Sequence, residues 1–290
     1  MTTRIRLIVT GKLEEKALHR SLRHLFALTS ASVEFLAPLK EQDFTSTPLT
    51  TLPPEEGVSS SRASKLAARI VAELHPGRSS RAERADYVIA VDDLELANER
   101  QPGFVLDYLR RTIRNYVRSK FPQPAEQSFV FRKLATRASF HLLVPMVEAY
   151  FFGEPAALVR ASATLAPNLF DSARDVEDFE VNDPDYMALT PPKVEWHPRP
   201  RHPKNYVRYL CDPQGTRSQN EERAYRETHE GYEALSVLDW RTVLKNPAHG
   251  AFMRSLIDDL ADALNIPSPC PGPCAPLTAR GSGEHLLRNI

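Results

Sequence analysis

Residues Ala85 to Glu95 read ADYVIAVDDLE, an apolar run from Tyr87 to Val91 followed by Asp92, Asp93 and Glu95. The run reads as a hydrophobic β-strand that ends in acid. In an open α/β sheet the end of such a strand faces the ligand crevice, so carboxylates stacked there point to a site for a hard cation such as magnesium. Side chains two residues apart in extended backbone share a side, which groups Asp93 with Glu95 and turns Asp92 the other way. Two carboxylates about 4 Å apart repel by roughly 4 kcal/mol at an effective dielectric of about 20, a cost that a bound divalent cation reverses. The competing reading is that acids behind a strand cap the next helix or are simply solvated, Asp92 above all.

Outward from this strand, β-like and helical patterns alternate. Arg4 to Val9 is a short strand that passes through Gly11 into a helix with Ala17, Leu18, Leu22 and Leu25 on one face. Ser32 to Leu36 is a second strand, and the Thr- and Pro-rich stretch from Ala37 to Gly57 is a long loop. Ser59 to Leu74 resumes helical spacing, closed by Gly77, and Phe104 to Val117 repeats it. Ser128 to Leu134 reads as a strand, and Phe140 to Val144 as an extended segment. Pro145 then suits the first turn of a helix through Glu148 to Phe152, Gly153 stops it, and Pro155 starts the next. The alternation predicts an α/β fold over residues 1–165, with a mainly parallel sheet flanked by helices. From about Ala166 the composition shifts to Asp, Pro and Arg, and helical patterns return at Tyr206 to Leu210, Asn220 to Leu238 and Ala251 to Leu264. Residues 166–264 are therefore expected to form a smaller, mainly helical C-terminal part, and residues 265–290 a Pro- and Gly-rich mobile tail. The 24 prolines concentrate in the Ala37 to Pro54 loop, the Pro191 to Pro203 connector and this tail.

Formal net charge is zero, so any attraction to nucleic acid must come from local patches. Neither a signal-like apolar run nor a membrane-length one occurs, which predicts a cytoplasmic protein with no membrane partner. Three cysteines, Cys211, Cys270 and Cys274, make no disulfide framework, and Cys270 and Cys274 lack two further ligands for zinc. The Thr10-Gly11-Lys12 turn falls short of a phosphate loop, and GxGxxG, GxSxG and HExxH are all absent.

Other chemistry-bearing groups lie in two kinds of stretch. Glu148 sits among apolar and aromatic residues, with Glu154 just past the glycine stop, and a buried glutamate needs a cation, a partner or a proton; the plainer reading is the rim of an amphipathic helix. Arg111, Arg114 and Arg118 recur at helical spacing, a pattern that suits either phosphate contacts or a solvated face. Arg199, Arg201, Lys204 and Arg208 cluster near Trp196, Tyr206 and Tyr209, and such aromatic interleaving suits a single nucleic acid strand. His141 is either a general base or a partner for a backbone group.

Together these segments resemble the Toprim fold, in particular a bacterial branch found beside ATPases in defence-type gene clusters. The likeness is carried by VTGKLEE from Val9, AVDDLE from Ala90, HLLVPMVEAYFFGEPAAL from His141, HPKNYVRYL from His202 and YRETHEGYEALSVLD from Tyr225. It runs to about Leu264, and Glu148 to Leu158 is its most specific element. The resemblance implies a magnesium- or manganese-dependent nuclease acting on DNA or RNA in phage defence, with an ATPase partner. Asp93 and Glu95, with Asp92 beside them, would hold the metal, and Glu148 would be a further ligand or orienting group. Arg199, Arg201, Lys204 and Arg208 would contact the nucleic acid backbone. The family's acid-base glutamate after the first strand is Thr10 here, so Glu14 or Glu15 is expected to substitute for it. The alternative is a catalytically degenerate domain serving as a binding or regulatory subunit of the ATPase. A small-molecule phosphotransfer enzyme on the same fold is the third possibility.

Overall fold

A computed structural model describes residues 2–57, 61–75, 84–171, 173–189, 199–215, 225–275 and 285–290. Gly77 and Trp196 lie outside them. The sheet is built from β1 (Thr3–Val9), β2 (Val33–Phe35), β3 (Leu39–Lys40), β4 (Tyr87–Asp93) and β5 (Ala138–Leu143), in the order β2-β1-β4-β5. Every pairing is parallel. The short β3 pairs with the far end of β1, on Ile8 and Val9, where β2 pairs with Thr3 to Ile5. The expected loop after Leu36 thus carries a two-residue strand.

Side-chain alternation divides the core into two layers. Ile5, Leu7, Val9, Ile89, Val91 and Leu143 face one apolar cluster with helix α1 (Lys12–Ala27). Ile8, Val88, Ala90, Phe140 and Leu142 face the other, with α2 (Arg62–Leu74) and α3 (Pro102–Lys120). Burial on both faces explains why β4 reads as an unbroken apolar run rather than an alternating one. Helix α2 starts where Ser61 Oγ accepts the backbone N–H of Ser64 at 3.2 Å, satisfying one of its free donors.

The expected strand at Ser128 to Leu134 is instead part of helix α4 (Pro124–Arg137). The Phe129-Val130-Phe131 run imitates a strand, but only Val130 and Leu134 are buried, and that spacing of four marks one helical face. Pro124 occupies the first turn, where its missing N–H costs nothing. After β5, the expected helix is a 3-10 turn, Val147–Gly153, that begins two residues past Pro145. Helix α5 (Pro155–Arg160) follows from Pro155 as expected.

The later helices are α6 (Pro184–Ala188), α7 (Pro203–Cys211), α8 (Tyr232–Leu235), α9 (Trp240–Val243) and α10 (Ala251–Ala263). Residues of α7 to α10 share one apolar cluster with β1 and α1, so this part of the chain covers one face of the sheet. The tail departs from its expected mobility at its end: Leu287 and Ile290 are fully buried. Arg288 N–H donates to Ala138 O at 2.7 Å, and Asn289 exchanges hydrogen bonds with the backbone of Phe140. These residues cover the free edge of β5, which satisfies its unpaired backbone groups. Among the described residues no helix is long and apolar enough to cross a membrane.

Candidate functional site

Strand order fixes where a ligand can sit. The chain leaves β1 for β2 on one side of the sheet and returns to β4 on the other, so the crevice beyond the carboxyl ends of β1 and β4 is the topological switch point. A cleft of about 310 Å³ opens there, lined by Glu14, Asp93, Glu95 and Glu148 together with His202, Lys204, Asn205, Arg208 and Glu227.

Each acid arrives on a different piece of backbone. Glu14 stands in the first turn of α1, buried, and Oε2 finds no hydrogen-bond partner among the described residues. Asp93 is the last residue of β4, and its Oδ1 accepts the backbone N–H of Val147 at 3.0 Å. Glu95 takes a left-handed backbone, φ 60°, which costs a non-glycine residue of order 1 kcal/mol or more and occurs mostly where function demands it. Its backbone N–H still pairs with Pro145 O at 2.8 Å, so β4 and the turn after β5 hold it in place. Glu148 lies in the 3-10 turn, buried, and accepts from the Tyr225 hydroxyl at 3.3 Å.

Crowding sets the electrostatics. Burial first, then repulsion from Glu148, pushes the Glu14 carboxyl up to about 8. Burial and Glu148 likewise raise Glu95 to about 7. Asp93 is held well above the usual carboxylate range by burial and by Glu14, Glu95 and Glu148, and Glu148 is raised by burial too. Burial pulls Lys204 down, but Glu148 and Glu227 outweigh it and leave its ammonium more firmly charged than usual. Lys204 donates to Glu227 in a short ion pair, and Arg208 donates to Asn205 Oδ1 at 3.1 Å while its buried Nε lacks a partner among the described residues. Arg208 lines the cleft beside Lys204.

Several sequence expectations part company with this site. Asp92 points to the opposite face of the sheet, where Thr10 Oγ1 donates to its Oδ1 in a short bond and Thr45 Oγ1 donates to Oδ2 at 3.2 Å. Strand alternation is the reason: Asp92 and Thr10 fall on the α2 side, away from the cleft. Burial pushes the Asp92 carboxyl up to about 7. Of the two candidate replacements for the missing glutamate, Glu14 lines the cleft and Glu15 does not. Arg199 is spent on the carbonyls of Tyr186 and Leu189, and Arg201 on Glu99, so neither joins Lys204 and Arg208. Tyr206 and Tyr209 are buried and stack on each other with centroids 5.9 Å apart, so they are core and offer no platform to bases. Glu154 pairs with Arg160 outside the cleft. His141 is fully buried, its Nε2 3.3 Å from Asp259 Oδ2, which places it in a structural link between β5 and α10. Cys211, Cys270 and Cys274 form no disulfide.

Sequence reading missed His202, Asn205 and Glu227. Both stretches that hold them belong to the resemblance, but nothing local separates Glu227 from Glu230, which pairs with Arg226 instead. Among the described residues no group of three or more His, Cys, Asp or Glu side chains stands ready to hold a metal ion, so the four acids line the cleft without closing on one point. Comparison with protein families, with curated proteins and with solved structures found no match to this chain.

Proposed function

We propose that the cleft is the site of a magnesium- or manganese-dependent hydrolysis of phosphodiester bonds in DNA or RNA, on a Toprim-like fold. The observation that carries this reading is the gathering of Glu14, Asp93, Glu95 and Glu148 with Lys204 and Arg208 in one small cleft at the switch point. The acid wall suits a hard divalent cation: it offers only carboxylate oxygens, its charges repel one another, and Glu14 Oε2 has no partner among the described residues. Bound there, such an ion would supply Lewis-acid polarisation of a phosphoryl oxygen.

The chain's own residues would do the rest. Arg208 binds phosphate charge, Lys204 shares its charge between the phosphate and its partner Glu227, and the Tyr225 hydroxyl orients Glu148. Glu14, whose carboxyl is raised to about 8 in the metal-free protein, is the cleft acid placed to exchange a proton, which a threonine hydroxyl at Thr10 cannot do near neutral pH. The phage-defence role and the ATPase partner rest on the resemblance alone.

A second reading, a degenerate domain acting as a binding or regulatory subunit of an ATPase, is favoured by the lack of a ready metal group among the described residues and by Thr10, whose hydroxyl is committed to Asp92. An assay separates the two. Plasmid, single-stranded DNA and RNA are incubated with the protein and magnesium or manganese; metal-dependent cleavage lost in Asp93→Ala and Glu95→Ala supports the enzyme. Absent or metal-independent cleavage supports the regulatory subunit.

A further inference from the structure

On α3, whose apolar residues belong to the other core layer, a groove of about 320 Å³ is lined by Arg111, Arg114, Asn115, Arg118 and Glu55. None of these residues lines the acidic cleft. Two contacts fix its far wall: Asn115 Nδ2 donates to Pro54 O at 2.7 Å, and Arg111 donates to Pro53 O at 3.1 Å. The loop carrying Pro53 to Glu55 is thereby pinned along the helix, and the groove is built rather than incidental.

Its charge is not balanced. Arg110 on the same helix pairs with Asp107 at 2.8 Å, as an ordinary solvated face would. Among the described residues the one acid near Arg111 is Glu55, 3.9 Å away and largely exposed, and Arg114 and Arg118 have no acidic partner. Like charges at helical spacings of three and four repel, so three arginines on one stripe are an arrangement that folding alone does not favour. An anion lying along the groove would relieve it. The stripe spans eight residues, seven steps of roughly 1.5 Å that make about 10 Å of helix, long enough to meet more than one phosphate. Arginine suits the task because its planar fork binds phosphate oxygens two at a time.

We infer that the groove formed by Arg111, Arg114 and Arg118 with the Pro53–Glu55 loop is a second binding site, for an anion bearing neighbouring phosphate groups. Nucleic acid backbone and free polyphosphate share that chemistry.

Fluorescence anisotropy with labelled single-stranded DNA and RNA, and calorimetry with tripolyphosphate, test it on the full chain without added metal. The variant is Arg114→Ser with Arg118→Ser; Arg132→Ser with Arg137→Ser on α4 is a control of equal charge change. Affinity is expected to fall at least tenfold in the first variant and little in the second. For a nucleic acid strand, the slope of log affinity against log salt should shrink by about 1.4, two contacts at roughly 0.7 each. Tripolyphosphate binding lost in the first variant, with no nucleic acid binding, assigns the groove to a small polyphosphate and supports the inference equally. Equal losses in both variants, or no binding of either probe, overturns it. Because no metal is present and Asp93 is untouched, either result leaves the reading of the acidic cleft standing or falling on its own assay.

Discussion

The carboxylate of Glu14 folds back over Gly11, so that a side chain at position 11 would place its Cβ 2.6 Å from Glu14 Cδ. Gly11 has an ordinary extended backbone, φ −90° and ψ 154°, and any residue could adopt it. What demands glycine is the space that the carboxylate occupies. In Gly11→Ala the flexible glutamate swings away while the fold tolerates the methyl group. Divalent-cation affinity, read by calorimetry, is expected to fall about tenfold, the scale on which displaced metal-site groups act. The melting temperature should stay close to that of the parent, and unchanged affinity would remove Glu14 from the metal wall.

Without metal, stability should fall as pH rises from 6.5 to 8.5. Glu14 and Glu95 have folded values of about 8 and about 7, above their ordinary 4.5, with burial the first cause in each. The native state therefore holds protons that the unfolded chain has released, and the stability present below about pH 4.5 is lost as pH climbs through these values. His19, lowered to about 4 mainly by burial, works in the opposite sense but only below its ordinary 6.5, outside this window. Thermal unfolding should show a drop on the order of 5 °C between the two pH values, reversed by millimolar magnesium. A flat profile would mean that burial does not hold Glu14 and Glu95, nor Asp92 and Glu177 outside the cleft, protonated in the fold.

Neutralising one of these acids should stabilise the metal-free protein while abolishing its response to metal. Asp93→Asn keeps an oxygen to accept the Val147 N–H and removes repulsion from Glu14, Glu95 and Glu148. Its melting temperature at pH 8 is expected to exceed the parent's, with no further rise on adding manganese. This is the trade between stability and function expected of a site that gathers like charges.

Arg254, 1% exposed, donates to the carbonyls of Leu244, Asn246, His249, Cys270 and Pro271. Arg254→Met would leave these oxygens unpaired in the interior, at a cost of about 3 kcal/mol or more in denaturant unfolding. Arg254→Lys should rescue little, because an ammonium cannot span five acceptors. A loss under about 1 kcal/mol would show that solvent replaces the arginine.

Removing residues 285–290 should destabilise the chain rather than trim a loose end. The deletion uncovers Phe140 and the edge of β5 and removes the buried Leu287 and Ile290. A loss of about 3 kcal/mol is expected from two large apolar side chains alone, measured by denaturant midpoint. An unchanged midpoint would make the packing of this segment irrelevant to stability.

The sequence by itself determined three strands of the sheet, β1, β4 and β5, but not the short β3. Apolar runs at Arg4 to Val9, Tyr87 to Val91 and Phe140 to Val144, with helical spacing between them, dictate parallel strands because only helices on both faces can bury such runs. Alternation also separated Asp93 from Asp92 before any contact was known. Helix α4 was illegible, since Phe129 to Phe131 is apolar at every position and only burial at Val130 and Leu134 reveals the period. Tertiary structure alone decided the rest of the site. Glu14 rather than Glu15 enters the cleft because of the rotation of α1, and Glu95 enters through a left-handed residue that no pattern announces. Lys204 and Arg208 join the acids in the cleft while Arg199 and Arg201 are tied elsewhere, a choice made by Tyr186, Leu189 and Glu99. Local periodicity reports which face of an element is buried; which distant charges meet depends on how those faces are turned toward each other.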